Sequence, residues 1–290
     1  MNRLLLPAAI PAIWVSLASL LCAAERPTEG PLDAFLGEPH IDTQQLFQEE
    51  RFPNVAVEDY VNGVYAINPP AYQQWLQIEE FPPYELAMAE GKELFETPFA
   101  NGKTYADCFP NGGVGIRQNY PYFDAESGQV KTLELEVNEC REANGEAPYK
   151  YSKGKMAAIS AYMAFTSRGQ KLNIVIPDDP RAQAAYEGGK AYYYSKRGQL
   201  NFSCADCHVV NSGMMIRADM LSPALGHPTH FPVYRSKWDD MGTLHRRFGG
   251  CNKQVRAEPL PAQSEEYRNL EYFLTYMSNG MDVNGPGARK

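Results

Sequence analysis

Histidine is scarce in this chain, five in 290 residues, and none stands between His40 and His208. Any metal or cofactor lodged within residues 41–207 therefore has no local imidazole ligand. Basic charge is short as well: 27 Lys and Arg against 35 Asp and Glu, a balance that argues against general nucleic-acid binding. Long apolar runs are missing after Leu21, so no later stretch could span a bilayer as a helix. There is also no second Cys or His pair at the spacing a structural zinc site requires.

What is present begins with Met1-Asn2-Arg3, an apolar run from Leu4 to Leu21, and the small residues Ala23 and Ala24. This pattern predicts a secretory signal peptide over 1–24, cleaved after Ala24, and hence an exported, periplasmic protein. An uncleaved anchor fits less well because Pro7 and Pro11 interrupt the run. A lipoprotein site at Cys22 would follow Leu21 where a small residue is expected. Removing the signal takes away one Arg and no acid, leaving a net charge of −9.

Residues 25–80, rich in Pro, Gln and acids, read as an extended N-terminal segment. Beyond them the chain repeats itself. Glu85 to Thr97 and Ala182 to Ser195 each set a Gly-Lys pair on a helix, with an aromatic three residues later and a cysteine about a dozen residues further on. Two later helices also correspond. Met156, Ile159 and Met163 form one apolar stripe, and Tyr267, Leu270, Leu274 and Met277 form the other. Each sits behind a Ser cap, Ser152 or Ser264, and closes in Ser-x-Gly. The expected fold is mainly α: two tandem helical domains, 81–175 and 176–290.

Cys204-Ala205-Asp206-Cys207-His208 is the C-x-x-C-H signature of covalent haem attachment. Two thiols at this spacing add to the porphyrin vinyl groups, and the adjoining imidazole reaches the iron. A thioredoxin-like pair would need no such histidine. At the matching place in the first domain stands Cys108-Phe109-Pro110-Asn111-Gly112, with neither the second Cys nor the His. One haem c is the expected count, in the second domain. Cys108 and Cys140, isolated in the haem-free half of an exported protein, are expected to form a disulfide.

That leaves Cys251 unpaired. It lies in a stretch, Arg235 to Arg256, holding Arg235, Lys237, Arg246, Arg247, Lys253 and Arg256 against only Asp239 and Asp240. Such a field favours a thiolate and attracts small anions. For the distal ligand, Met214, Met215 and Met220 follow His208 too closely to cross the ring, while Met241 and Cys251 both remain open.

These residues resemble the SoxA family, the A subunit of the thiosulfate-oxidising SoxAX cytochromes. The tandem cytochrome-c-like domains, the segment Asn201-Phe202-Ser203-Cys204-Ala205-Asp206-Cys207-His208 and the segment Arg247-Phe248-Gly249-Gly250-Cys251 carry the resemblance. It implies an L-cysteine S-thiosulfotransferase that joins thiosulfate to a cysteine of the carrier SoxYZ, with electrons passing through haem to SoxX in a heterodimer. It also implies Cys251 as distal iron ligand, with or without an added persulfide sulfur, and Arg247 beside it as a catalytic residue. The departure from the family's two-haem pattern at Cys108 matches its single-haem members. A passive electron carrier with His/Met ligation through Met241 is the competing reading.

Overall fold

The computed structural model describes Phe47 and residues 51–290. The signal peptide, Cys22, His40 and most of the N-terminal segment lie outside the described residues. From residue 51 that segment is largely helical rather than extended. A 3-10 stretch, Val57–Ala66, is followed by α1, Pro69–Glu79, which starts where the Asn68 side chain accepts the Ala71 N–H at 3.2 Å and two prolines preset the first turn.

The rest is built twice. The first half contains α2 (Glu85–Glu96), a hairpin of β1 (Tyr122–Asp124) and β2 (Gln129–Lys131), α3 (Leu133–Ala143) and α4 (Lys155–Phe165). The second half contains α5 (Pro180–Tyr194), a small hairpin of β3 (Met215–Ile216) and β4 (Asp219–Met220), a hairpin of β5 (Val233–Arg235) and β6 (Asp240–Gly242), α6 (Leu244–Gln254) and α7 (Glu265–Met277). The short C-terminal strand β7 (Gly287–Arg289) pairs in parallel with β5.

The Gly-Lys pairs mark where helices cross. In the first half Gly91 of α2 packs directly on the backbone of α4, so that a Cβ there would sit 2.0 Å from the Ala158 carbonyl oxygen. In the second, Gly189 of α5 packs on α7 and would meet the Asn269 carbonyl oxygen at 2.0 Å. No other residue permits such close backbone approach. The aromatics three positions after each Lys, Phe95 and Tyr193, are both buried, as are the apolar stripes read for α4 and α7. Asp179 caps α5 and Ser264 caps α7. The start of α4 differs from expectation: Gly154, with φ +63°, precedes it, and Ser152 instead accepts the Thr243 N–H through its carbonyl oxygen at 3.2 Å.

This last contact has a consequence for the second half. Thr243 opens α6, and its hydroxyl also donates to the Tyr151 carbonyl at 3.0 Å. The first half thus fixes the entry to the helix that bears Arg247 and Cys251. Two residues on, His245 accepts the Gln263 N–H at 2.9 Å and lies 3.1 Å from Glu271 of α7. Glu271 in turn sits 3.7 Å from Arg117 of the first half, all of them buried.

Cys108 and Cys140 are joined in a disulfide, Cα to Cα 5.9 Å. Cys140 is the eighth residue of α3, as Cys251 is of α6. In the first half, then, the position equivalent to Cys251 is consumed by a covalent link to the segment that corresponds to the C-x-x-C-H turn. The link closes a loop with a sequence separation of 32. Replacing both cysteines by serine is expected to lower unfolding stability by about 3 to 4 kcal/mol. Urea denaturation of the oxidised wild type and the double variant measures it, and equal midpoints would refute it.

Candidate haem and anion site

The C-x-x-C-H segment starts a helix, and its cap is built from within. The Ser203 N–H donates to Asp206 Oδ2 at 2.8 Å while the Asp206 N–H donates to Ser203 Oγ at 3.0 Å, a reciprocal capping box. Helical spacing then brings Cys204, Cys207 and His208 to one face. The turn Asp206–Val210 that follows is of π type.

His208 is oriented by a backbone acceptor. Its Nδ1 lies 2.9 Å from the Ser222 carbonyl oxygen, an oxygen that can only accept, so Nδ1 bears the proton and the Nε2 lone pair is free to bind a metal. His227 stands beside it, ring centroids 4.4 Å apart, with its Nε2 2.9 Å from Ser222 Oγ. Burial, and then the neighbouring His208 and Arg247, hold His227 well below the usual histidine range.

One cavity of about 310 Å³ gathers these groups. Cys204, Cys207 and His208 line it together with Arg247 and Cys251 from α6, and Phe231, Val233, Leu244, Phe248, Leu270 and Leu274 make its apolar walls. The donor set fits a c-type haem: a thiol pair at the right spacing, an imidazole with a fixed tautomer, a second sulfur from another helix and a mostly apolar surround. Met241 does not reach this cavity. It is buried on β6 against Tyr84, Ala157, Ala161 and Ala288. Met215 and Met220 do line the cavity, whereas Met214 is exposed outside it.

The thiols differ in their electrostatics. Burial pushes Cys204 up to about 11, against the pull of Arg197, whose Nη1 lies 3.5 Å from its sulfur. Cys207 is also raised, chiefly by burial. For Cys251 burial pushes the same way, but Arg247 first, then the neighbouring His208 and Arg235, overcome it and bring the thiol down to about 7. Arg247 is well placed for this, since it makes no hydrogen bond or ion pair with another side chain among the described residues. Sequence reasoning missed the Ser222 carbonyl, His227 and Arg197. A backbone acceptor has no residue signature, and Arg197 is recognisable only by its position, 3.7 Å over the Tyr192 ring and beside Cys204.

Comparison with known proteins gives a consistent answer. A family model described as the SoxA/TsdA cytochrome c domain matches residues 90–172 and 188–283. The chain is 56% identical over 275 residues to the L-cysteine S-thiosulfotransferase subunit SoxA of Allochromatium vinosum, covering 94% of this chain and 98% of that one. It is 55% identical over 246 residues to the protein of the same name from Chlorobaculum tepidum, 85% of each chain. A chain in the crystal structure of SoxXA from P. pantotrophus superposes with a TM-score of 0.69 at 32% identity, over 75% of this chain and 84% of that chain.

Proposed function

The chain belongs to the SoxA family, and on that premise we propose that Cys251 and Arg247 form its catalytic centre, with His208 and Cys251 as the two iron ligands of a single haem c attached to Cys204 and Cys207. The chain is an L-cysteine S-thiosulfotransferase subunit with cytochrome-c-like domains. The observation that carries the site assignment is the convergence of His208 and Cys251 on one cavity, with an uncommitted Arg247 beside the thiol.

The reaction conjugates thiosulfate to a carrier cysteine, that of SoxYZ. A sulfur–sulfur bond forms, the carrier thiol loses its proton, and two electrons leave, so that a dianion and a neutral thiol become a monoanionic S-thiosulfonate. The haem, when bound, supplies one-electron redox capacity at the site. The chain's own groups do the rest. Arg247 and the surrounding positive charge draw the dianion into the cavity and favour the Cys251 thiolate. The hydrogen bond from His208 Nδ1–H to Ser222 keeps the imidazole oriented with Nε2 toward the cavity. Phe248 and Leu244, apolar walls of the same cavity, limit water within it.

The companion is SoxX, in a heterodimer that passes the electrons on, and the setting is the periplasm after cleavage of residues 1–24. No helix among the described residues is long and apolar enough to cross a membrane. We place the haem-free and haem-binding domains at 81–175 and 176–290. A passive electron carrier with His/Met ligation through Met241 is disfavoured by the burial of Met241 away from the cavity.

Reconstitution with SoxX, SoxYZ and thiosulfate, read by the mass of the carrier's adduct, tests the activity. Arg247→Ala is expected to retain covalent haem and lose about ten- to a hundredfold in thiosulfate kcat/KM, the loss of a charged donor to an anion costing about 1.5 to 3 kcal/mol. Wild-type kcat/KM in that variant would remove Arg247 from the centre.

A further inference from the structure

The parallel pairing of β5 with β7 sets Arg235 directly opposite Arg289. Paired residues on neighbouring strands point to the same face, and like charges placed so are destabilising. Here that face is the cavity, which both arginines line, along with Val233 from the same row. The alternating residues Tyr234 and Ala288 turn the other way, into the cluster around Met241 and Tyr84.

Among the described residues neither guanidinium forms an ion pair with a carboxylate. Asp219, whose charge acts on Arg235, is paired with Lys237, and Asp240, across β6 from Arg235, is taken by Arg246 at 3.3 Å. Glu79, the carboxylate whose charge acts on Arg289, accepts from the Ala288 N–H at 3.0 Å and from the Tyr84 hydroxyl. Arg289 is 9% exposed, its Nη1 donates only to the neighbouring Ala288 carbonyl at 2.8 Å, and its Nη2 is buried with no partner. Aromatic faces account for part of the arrangement: Arg289 lies over Tyr65 and Trp75 at 5.1 and 5.2 Å, and Arg235 over Trp238 at 5.5 Å. Stacking satisfies the flat faces of the guanidinium groups. It leaves in-plane N–H donors without a partner, the Nη2 of Arg289 among them, and these are the donors that recognise carboxylates and other oxyanions.

We propose that Arg235 and Arg289 form an oxyanion clamp at the β5–β7 edge of the cavity, distinct from Arg247 and Cys251 on α6. The clamp rests on the reading of this cavity as a haem and thiosulfate site, and two sources could supply its oxyanion: a propionate carboxylate of the haem, or thiosulfate. A mutual anion removes the repulsion between the paired arginines and satisfies the buried Nη2 in one step.

The test uses the holoprotein with Arg289→Met, Arg289→Lys and Arg235→Met. Pyridine haemochromogen analysis first counts haem in each, so that loss of the haem reading itself is recognised separately. Two readouts follow: the propionate bending bands in resonance Raman, and thiosulfate affinity from an optical titration of the oxidised protein. If the clamp holds a propionate, both Met variants shift the bands, and Arg289→Met keeps thiosulfate affinity within about twofold. If it holds thiosulfate, the bands stay and affinity falls by about tenfold or more. Either pattern supports the clamp, provided that Arg289→Lys lies nearer the wild type. Should Arg289→Met fail to fold, the propionate bands of Arg235→Met, on the less buried partner, make the discrimination. Met variants with wild-type bands and wild-type affinity would overturn it.

Discussion

Replacing Cys251 by methionine is expected to leave covalent haem in place and to abolish thiosulfate conjugation, or to reduce it by several orders of magnitude. Attachment depends on Cys204, Cys207 and His208, which lie on a separate helical turn capped by its own Ser203 and Asp206, so haem content should remain at one per chain. Methionine is longer than cysteine and still offers sulfur to iron, but it is neutral and cannot form a thiolate. Arg247 would then face an uncharged thioether. Haem staining after denaturing electrophoresis reports the first outcome, and adduct formation on the carrier reports the second. Full activity in Cys251→Met would make the cysteine structural.

The second large effect belongs to the helix crossing that shapes the cavity. Gly189→Ala would place a methyl 2.0 Å from the Asn269 carbonyl oxygen and 3.0 Å from Phe273 Cβ. Backbone cannot move aside as a flexible side chain can, so α5 and α7 must separate. The expected cost is about 3 kcal/mol or more, at or beyond the upper end for overpacking, with poor recovery of haem-loaded protein. The adjacent Gly188→Ala provides the control. Its methyl would meet only Asn269 Nδ2 at 3.5 Å, an ordinary contact, and alanine is favoured over glycine in a helix by about 0.8 to 1 kcal/mol. The neighbouring substitutions should therefore change stability in opposite directions in denaturant titrations. Equal effects would mean that the close approach of α5 to α7 is not what requires glycine.

Much of this was legible in the residues. The C-x-x-C-H spacing and the two Gly-Lys helices could be read because each follows from a local rule, and the tandem helical architecture follows from their repetition. The crossing role of Gly91 and Gly189 needed the structure, since a sequence shows that a glycine recurs but not what it touches. Ser152 illustrates a local rule overridden: a good cap residue lies two positions before Gly154, but its carbonyl is committed to Thr243 of the other half. Composition around Cys251 indicated positive charge without ranking it. The structure separates Arg247, next to the thiol, from Arg246, which is drawn off to Asp240 and the Trp238 ring. The pairing of Arg235 with Arg289 joins residues from distant parts of the chain through a three-residue strand, and short strands of that kind leave almost no periodic signal.

Low-temperature EPR of the oxidised protein tests the central claim most directly, because thiolate and thioether ligands give distinct low-spin ferric signals. The account predicts a single haem with a thiolate-type signal that is replaced by a thioether-type or high-spin signal in Cys251→Met, while Met241→Leu leaves it unchanged. A wild-type signal of the His/Met kind, insensitive to Cys251→Met and lost in Met241→Leu, would contradict it.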